Sequence, residues 1–87
     1  MISRTRPSFW RLYGPLDSRT KQAARSAYEQ FASNPDHPSL RFKKLQGFDN
    51  LWSVRISEQY RVVGRRNGDV IEWAWIGTHN DFDRQFA

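Results

Sequence analysis

The sequence contains no cysteine, so it can form neither disulfide bonds nor metal sites built on thiolates. It also has no apolar stretch that approaches the length of a transmembrane helix, and residues 1–7 lack the apolar run of a signal peptide. We therefore expect a cytoplasmic protein without a membrane partner. Because 87 residues are too few for two hydrophobic cores, we also expect a single domain over residues 1–87.

Positive charge, by contrast, is abundant. The formal net charge is +5, and Arg accounts for eleven of the 14 basic residues. Guanidinium groups bind phosphate oxygens in pairs and stack on bases, so this balance favours nucleic acid or an acidic protein as the partner. Charge alone fits an ordinary soluble basic protein equally well.

The first third of the chain has the pattern of two helices. Apolar residues spaced three and four apart predict a short helix over residues 8–14. Asp17 or Ser18 can cap a longer helix, which the Asn34-Pro35 pair ends. The apolar stripe of this second helix consists of Ala24, Ala27, Tyr28 and Phe31.

After the loop of residues 34–39, the hydrophobic period changes from helical to two. Alternating runs predict strands near residues 40–44, 52–56, 60–65 and 70–76, and residues 2–6 can add a further strand. Asn67-Gly68 is typical of a type I′ hairpin, with Arg66 pairing with Asp69. The predicted fold is α+β, with two N-terminal helices packed on one face of a small antiparallel sheet. The residues expected on the helix-covered face are Trp52, Val54, Ile56, Tyr60, Val62, Ile71, Trp73 and Trp75.

The opposite face of these strands is predicted to carry arginines. A three-residue loop over 57–59 places Arg55 directly across from Arg61, and like charges in that position destabilise a sheet. We therefore predict a surface for phosphates, which Arg65 extends and to which Arg41, Lys43 and Lys44 add charge. The alternative is that Glu72 lies across from Val63 and neutralises part of the cluster.

His79 follows the last predicted strand and is the candidate proton carrier. A histidine beside arginines can exchange protons at neutral pH. Alternatively, His79 hydrogen-bonds to Asp81 or Asp83 and only holds the C-terminal segment in place. The spacing of these three residues is not typical of a metal site, and no further ligand is in view, so we predict no metal and no other cofactor.

Several motifs together carry a family resemblance over nearly the whole chain. They are Ala24-x-x-Ala27-Tyr28-x-x-Phe31, the segment from Asn34-Pro35 to Lys44-Leu45, Trp52-Ser53-Val54-Arg55-Ile56, Tyr60-Arg61-Val62-Val63-Gly64 and Trp75-Ile76-Gly77-Thr78-His79. The sequence resembles the RelE/ParE superfamily of toxins from type II toxin–antitoxin systems. The resemblance implies a compact sheet with two N-terminal helices and a toxicity that a cognate antitoxin blocks.

The superfamily has two functions, and the resemblance allows both. RelE-like members cleave mRNA in the ribosomal decoding site, whereas ParE-like members inhibit DNA gyrase and are not nucleases. We expect a ribosome-dependent mRNA endonuclease, for which the resemblance implies catalytic Arg55, Arg61 and His79. The residues expected to bind nucleic acid are Arg41, Lys43, Lys44 and Arg65. Gyrase inhibition is the alternative, as is a degenerate toxin that acts as a binding module.

Overall fold

A five-stranded sheet carries two helices on one face and a third helix on the other, in a computed structural model that describes residues 1–87. The helices are α1 (Pro7–Tyr13), α2 (Ser18–Ser33) and α3 (His79–Phe86), with a short 3-10 helix at Pro38–Leu40. The strands are β1 (Ile2–Thr5), β2 (Lys43–Lys44), β3 (Leu51–Arg55), β4 (Tyr60–Asn67) and β5 (Val70–Thr78). Their order across the sheet is β1-β5-β4-β3-β2.

The predicted α+β fold with two N-terminal helices is confirmed, but the sheet is mixed. Strand β1 pairs with β5 in parallel, while all other neighbours are antiparallel. A parallel partner requires a long connection, and here the connection from β1 to β5 contains both helices and three strands. Of the residues 2–6 that could add a strand, Ile2–Thr5 form one at an edge of the sheet.

Helix α2 begins and ends at the predicted residues. The backbone N–H of Thr20 donates to Asp17 Oδ1 at 2.8 Å, which satisfies a donor that the first turn leaves free. Asn34, which precedes a proline, has an extended backbone and ends the helix. Ala27 and Phe31 are buried against the sheet, where the Phe31 ring lies 5.3 Å from that of Trp73.

We call the face under α1 and α2 the inner face. Its buried side chains form one core with those of the helices and the 3-10 segment: Phe9, Ala27, Phe31, Leu40, Val54, Val62, Ile71, Trp73 and Ile76. Arg66 caps this core at the β2 side, with its guanidinium 4.5 Å from the Trp52 ring. Most of the predicted inner-face residues are confirmed by this arrangement.

The turn between β4 and β5 differs from the prediction by one residue. Asn67 pairs with Val70, so the two turn residues are Gly68 and Asp69 instead of Asn67 and Gly68. Gly68 has a positive φ of 58°, which glycine adopts without strain. The predicted pairing of Arg66 with Asp69 is therefore wrong, and Arg66 pairs with Ile71.

A register shift in the same strand pair moves two large side chains to unexpected faces. Between Val63 and Gly64 the pairing slips by one residue, which leaves Ala74 as the extra residue of β5. Trp75 consequently lies on the outer face, and Ile76 lies in the inner core. The prediction that Trp75 lies on the helix-covered face is therefore wrong, because strict alternation cannot reveal a bulge.

Gly64 allows the two strands to approach closely at this bulge. A Cβ atom on Gly64 would lie 2.8 Å from Trp73 Cε3 and 2.9 Å from the carbonyl oxygen of Glu72. Both distances are far below normal contact, so any larger residue would displace β5.

Helix α3 was not predicted, and it covers part of the outer face. The backbone N–H of Asp81 donates to Thr78 Oγ1 at 3.1 Å, which caps the first turn. Phe82 of this helix forms a second core with Leu45 and Val63. The partly buried residues packed against this second core are Leu51, Trp75 and Phe86.

The segment before β2 forms less strand than predicted. Residues 38–40 form the 3-10 helix, and Leu40 is buried in the inner core. Arg41 follows with a positive φ of 46°, which breaks the alternation. Only Lys43 and Lys44 remain as strand, so the predicted strand over 40–44 is correct only at its end.

Candidate functional site

Arg55 and Arg61 lie directly opposite each other on the outer face. They are Cα partners at the end of β3 and the start of β4, as the loop length predicts. The backbone N–H of Ile56 donates to the carbonyl oxygen of Tyr60 at 3.2 Å and closes the loop between them. Neither side chain is buried under α2, since both remain partly exposed.

The Arg61 guanidinium is held by the turn that follows β3. Its Nη1 donates to the carbonyl oxygens of Ser57 at 2.8 Å, Tyr60 at 3.0 Å and Glu58 at 3.3 Å. These acceptors are neutral, so they orient the group without cancelling its charge.

The electrostatic environment of Arg61 favours an incoming anion. Burial lowers the pKa of Arg61 from its ordinary value, and the positive charges of Arg55 and Arg41 lower it further. The carboxylate of Asp83 acts in the opposite direction. Arginine keeps its proton at neutral pH, so the neighbouring positive charges repel each other. A bound phosphate would reduce this repulsion.

Arg55 has only a weak ionic partner. Its Nη2 lies 4.0 Å from Glu58 Oε1, and that carboxylate group is on a side chain that is 90% exposed. Such a long surface pair contributes little. Glu72 does not neutralise the pair: it lies across from Arg65, and its carboxylate is 3.7 Å from Nε of Arg6.

His79 is the first residue of α3 and is fixed at two points. Its backbone N–H donates to the carbonyl oxygen of Gln59 at 2.6 Å, next to the turn that holds Arg61. Its ring Nε2 lies 3.3 Å from Asp83 Oδ2, one helical turn later, and both side chains are about half exposed. This contact is the one expected if His79 only holds the C-terminal segment in place, and it leaves Nδ1 free for other partners.

Sequence reasoning named Asp83 only as one of two possible partners of His79 and did not predict the helix that selects it. Thr78 followed by Asp81, with Phe82 and Phe86 four residues apart, is the signal of a capped amphipathic helix. Such a helix puts residues 79 and 83 on one face.

Arg41, at the end of the 3-10 segment, also acts on this pair, because its positive charge lowers the pKa of Arg61. We call Arg41, Arg55 and Arg61 the basic cluster. Lys43 pairs with Ser53 and so shares the outer face, with an exposed side chain.

The other two predicted nucleic-acid-binding residues lie away from the basic cluster. Lys44 pairs with Trp52 and therefore lies on the inner face. Arg65 pairs with Leu51, near the far end of β4, and its Nη1 donates to the carbonyl oxygen of Asp49 at 3.1 Å.

Two negative findings concern ligands and membranes. The structure brings no three His, Asp or Glu side chains together in a way that could hold a metal ion. None of its helices combines the length and the apolar character needed to cross a bilayer.

Comparison with known families identifies the chain. A sequence model described as a ParE-like toxin domain matches residues 18–84, which is most of the protein. The chain belongs to the ParE-like toxin family. It is thus a toxin of the RelE/ParE superfamily of toxin–antitoxin systems, as the motifs of its sequence imply. A comparison with curated proteins finds no match.

Solved structures show the same fold at low sequence identity. A chain of the RelB-RelE antitoxin-toxin complex from Methanococcus jannaschii is 16% identical, with a TM-score of 0.75 and coverage of 97% of this toxin and 99% of that chain. YafQ from E. coli strain BL21(DE3) is 9% identical, with a TM-score of 0.73 and coverage of 92% and 94%. The YoeB/ParE toxin from Agrobacterium tumefaciens is 21% identical, with a TM-score of 0.67 and coverage of 91% and 99%.

Proposed function

We propose that this toxin is a RelE-like endoribonuclease that cleaves mRNA on the ribosome without a metal ion and so inhibits translation. The observation that carries the proposal is the opposed pair of Arg55 and Arg61 next to the His79–Asp83 contact. Together these groups offer a phosphate-binding site and a proton carrier. In this proposal, residues 1–87 act as one toxin domain.

The reaction requires little chemistry from the protein. The 2′-hydroxyl of the RNA attacks the neighbouring phosphorus and forms a cyclic phosphate, while the bond to the 5′ oxygen of the next nucleotide breaks. The enzyme must align the attacking oxygen, remove its proton and stabilise the extra negative charge. In the proposed site, Arg55 and Arg61 stabilise the charge on the phosphate oxygens. Their mutual repulsion in the free toxin makes that interaction more favourable.

We assign the proton transfer to His79. Since Nε2 faces Asp83, the neutral ring carries its proton on Nε2 and presents the lone pair of Nδ1. Nδ1 then takes the proton of the 2′-hydroxyl, and water supplies a proton to the departing 5′ oxygen, which leaves as a hydroxyl group. Asp83 does not touch the RNA in this scheme and is a positioning residue.

The remaining basic residues bind the RNA backbone in this proposal. We propose that Arg41 and Lys43 contact phosphates that flank the cleavage site. Arg65 and Lys44 lie farther away and would contact more distant nucleic acid. Each phosphate contact makes binding weaker as salt rises.

We also propose a cognate antitoxin as the protein partner. Two of the similar structures, the RelB-RelE complex from Methanococcus jannaschii and the intact E. coli RelBE complex, are toxin–antitoxin complexes. The antitoxin expected here is acidic and partly disordered, and it orders on binding over or near the basic cluster.

A second candidate function is inhibition of DNA gyrase. The observation that favours it is that the matching family model describes a ParE-like domain. In this case the basic cluster would bind a protein or DNA surface, and His79 would have no proton to transfer.

A paired assay distinguishes the two candidates. Purified toxin is added to ribosomes that hold a defined mRNA and, separately, to gyrase during DNA supercoiling. We expect cleavage of the mRNA, its loss in His79→Gln, and undisturbed supercoiling. If both the wild type and His79→Gln block gyrase and leave the mRNA intact, the toxin is a gyrase inhibitor. If neither target is affected, the binding-module alternative holds.

A further inference from the structure

A polar cleft of about 820 Å³ lies next to the basic cluster. It is bounded by the second half of α2, the 3-10 segment and the turn after β3. Arg55 and Ser57 form its wall on the sheet side. Since the Ser57 carbonyl oxygen accepts from Arg61 at 2.8 Å, the cleft adjoins both arginines of the proposed cleavage site.

The lining of this cleft is rich in uncharged hydrogen-bonding groups. Only four of its 13 lining residues are hydrophobic. The charged side chains are one cation, Arg55, and one acid, Glu29. The uncharged polar residues that line it include Gln30, Ser33, Asn34 and Ser39.

Hydrogen bonds hold several of these groups in place. The Ser39 hydroxyl donates to Gln30 Oε1 at 2.8 Å and also lies 2.9 Å from Nδ1 of His37. These hydrogen bonds connect α2 to the 3-10 segment. The carboxamide oxygen of Asn34 accepts from the backbone N–H of Asp36 at 3.1 Å, which leaves its NH₂ group free to donate. The cleft therefore presents polar groups whose positions are set before any ligand binds.

We propose that this cleft binds the nucleobase next to the phosphate held by Arg55, and so gives the toxin a base preference at the cleavage site. The proposal rests on the ribonuclease function proposed above. A nucleobase is planar and uncharged, and its edge carries both donors and acceptors. Carboxamide and hydroxyl groups recognise such edges. The ring of His37, which also lines the cleft, offers a surface on which a base can stack.

Other occupants fit the lining less well. An acidic peptide would meet a single cation and would be repelled by Glu29. An apolar side chain would strip water from the hydroxyl and carboxamide groups without replacing their hydrogen bonds. A nucleobase avoids both problems. It is neutral, so Glu29 does not repel it, and it can form hydrogen bonds with the hydroxyl and carboxamide groups.

The test is to map cleavage sites on ribosome-bound mRNA that contains all codons. Wild type, Gln30→Ala, Asn34→Ala and the double variant are compared, with Gln22→Ala as the control because it lies on α2 outside the cleft. We expect the wild type and the control to favour one base at a fixed position relative to the cut. The base preference of the double variant should be about tenfold weaker, which is within the range that a well-placed pair of hydrogen bonds provides.

The outcomes separate this inference from the proposed function. If the wild type cleaves and the double variant keeps the same base preference, the cleft is not a base site, although the ribonuclease proposal stands. If the wild type does not cleave, both proposals are wrong. If the variants instead weaken binding of the antitoxin with unchanged base preference, the cleft is a protein-binding surface and the inference is overturned.

A further variant guards against loss of the fold. Gln30→Glu keeps the shape of the side chain but replaces its NH₂ donors with a carboxylate. We expect it to change which base is preferred while its melting temperature stays near that of the wild type. An unchanged preference in a folded Gln30→Glu protein would contradict the proposal.

Discussion

The outer face of the sheet has two ends that differ in what covers them. At one end Val63 and Trp75 are apolar, and Phe82 of α3 packs on them. At the other end Arg55 and Arg61 stand opposite each other and stay in contact with solvent. The same two strands, β3 and β4, contribute to both ends. The apolar end thus stabilises the fold, whereas the arginine end costs stability and, in the proposed function, binds the phosphate.

The two ends are joined through α3. This helix begins at His79, beside the turn that holds Arg61, and carries Phe82 into the apolar end. Packing of one aromatic side chain therefore positions both His79 and Asp83. Changes at the apolar end should alter stability first, and changes at the arginine end should alter activity alone.

The largest effect should come from Phe82→Ala, which removes the buried anchor of α3. Replacing a buried phenylalanine with alanine lowers the free energy of unfolding by about 3 kcal/mol or more, which is a large part of the free energy of unfolding of a small domain. We expect a clear fall in the free energy of unfolding, measured with urea, and loss of mRNA cleavage with it. Phe86→Ala, which removes a partly buried ring of the same helix, should have a smaller effect. Equal stability of Phe82→Ala and the wild type would mean that α3 is not held by this core.

Arg55→Ala should separate activity from stability. Removal of a charge that stabilises the reacting phosphate lowers rates by about a hundred- to a thousandfold. The free energy of unfolding should change by no more than about 0.5 kcal/mol, because Arg55 has only a long surface ion pair to lose. Arg65→Ala, on the same face but at the far end of β4, is the comparison variant and should lower cleavage far less, because Arg65 is proposed to contact only more distant nucleic acid. If both variants lose cleavage equally, the effect is one of overall charge and not of a site.

Sequence patterns predicted the parts of the fold that depend on neighbouring residues. The cap at Asp17 and the stripe that ends at Phe31 define α2, and both act within one or two helical turns. The opposition of Arg55 and Arg61 follows from the length of a three-residue loop. These features were predictable because their causes are local.

The features that escaped prediction depend on packing between distant segments. The bulge at Ala74 arises where Gly64 lets β4 approach the Trp73 ring, and alternation in the sequence hides it. The role of α3 required Phe82 to meet Leu45 and Val63, which are far apart in the chain. The choice of Asp83 over Asp81 as the partner of His79 could not be made without that helix.

His79→Gln should lower cleavage by about a hundredfold, since a positioned proton carrier typically contributes at least that much. Binding to ribosomes should not change, because the basic cluster is intact. Asp83→Asn should have a smaller effect, since its carboxamide oxygen can still accept from Nε2. Nitrogen-15 NMR of the ring can check the tautomer directly, with His37 as the internal reference. A proton on Nδ1 of His79 in the neutral ring would contradict the proposed role of Asp83.

The smallest effect should be at Asp17, far from the outer face. Hydrogen bonds from Thr20 lower the pKa of Asp17 from its ordinary value of 3.8. A carboxyl group with a lowered pKa in the folded state stabilises the protein above its unfolded-state pKa, and that contribution is lost as the pH falls through the folded-state pKa. Asp17→Ala should therefore melt slightly below the wild type at neutral pH and match it in strong acid, with cleavage unchanged. A difference that persists in acid would mean that the cap does not act through its charge.

The most direct test of the account is to measure cleavage of ribosome-bound mRNA and the free energy of unfolding on the same preparation of Arg61→Ala. Arg61 donates to three neutral carbonyl oxygens and is repelled by its basic neighbours. We therefore expect cleavage to be abolished while the free energy of unfolding changes by about 1 kcal/mol or less. An Arg61→Ala protein that unfolds would show that the residue is structural, and one that is folded and fully active would contradict the role of the arginine end.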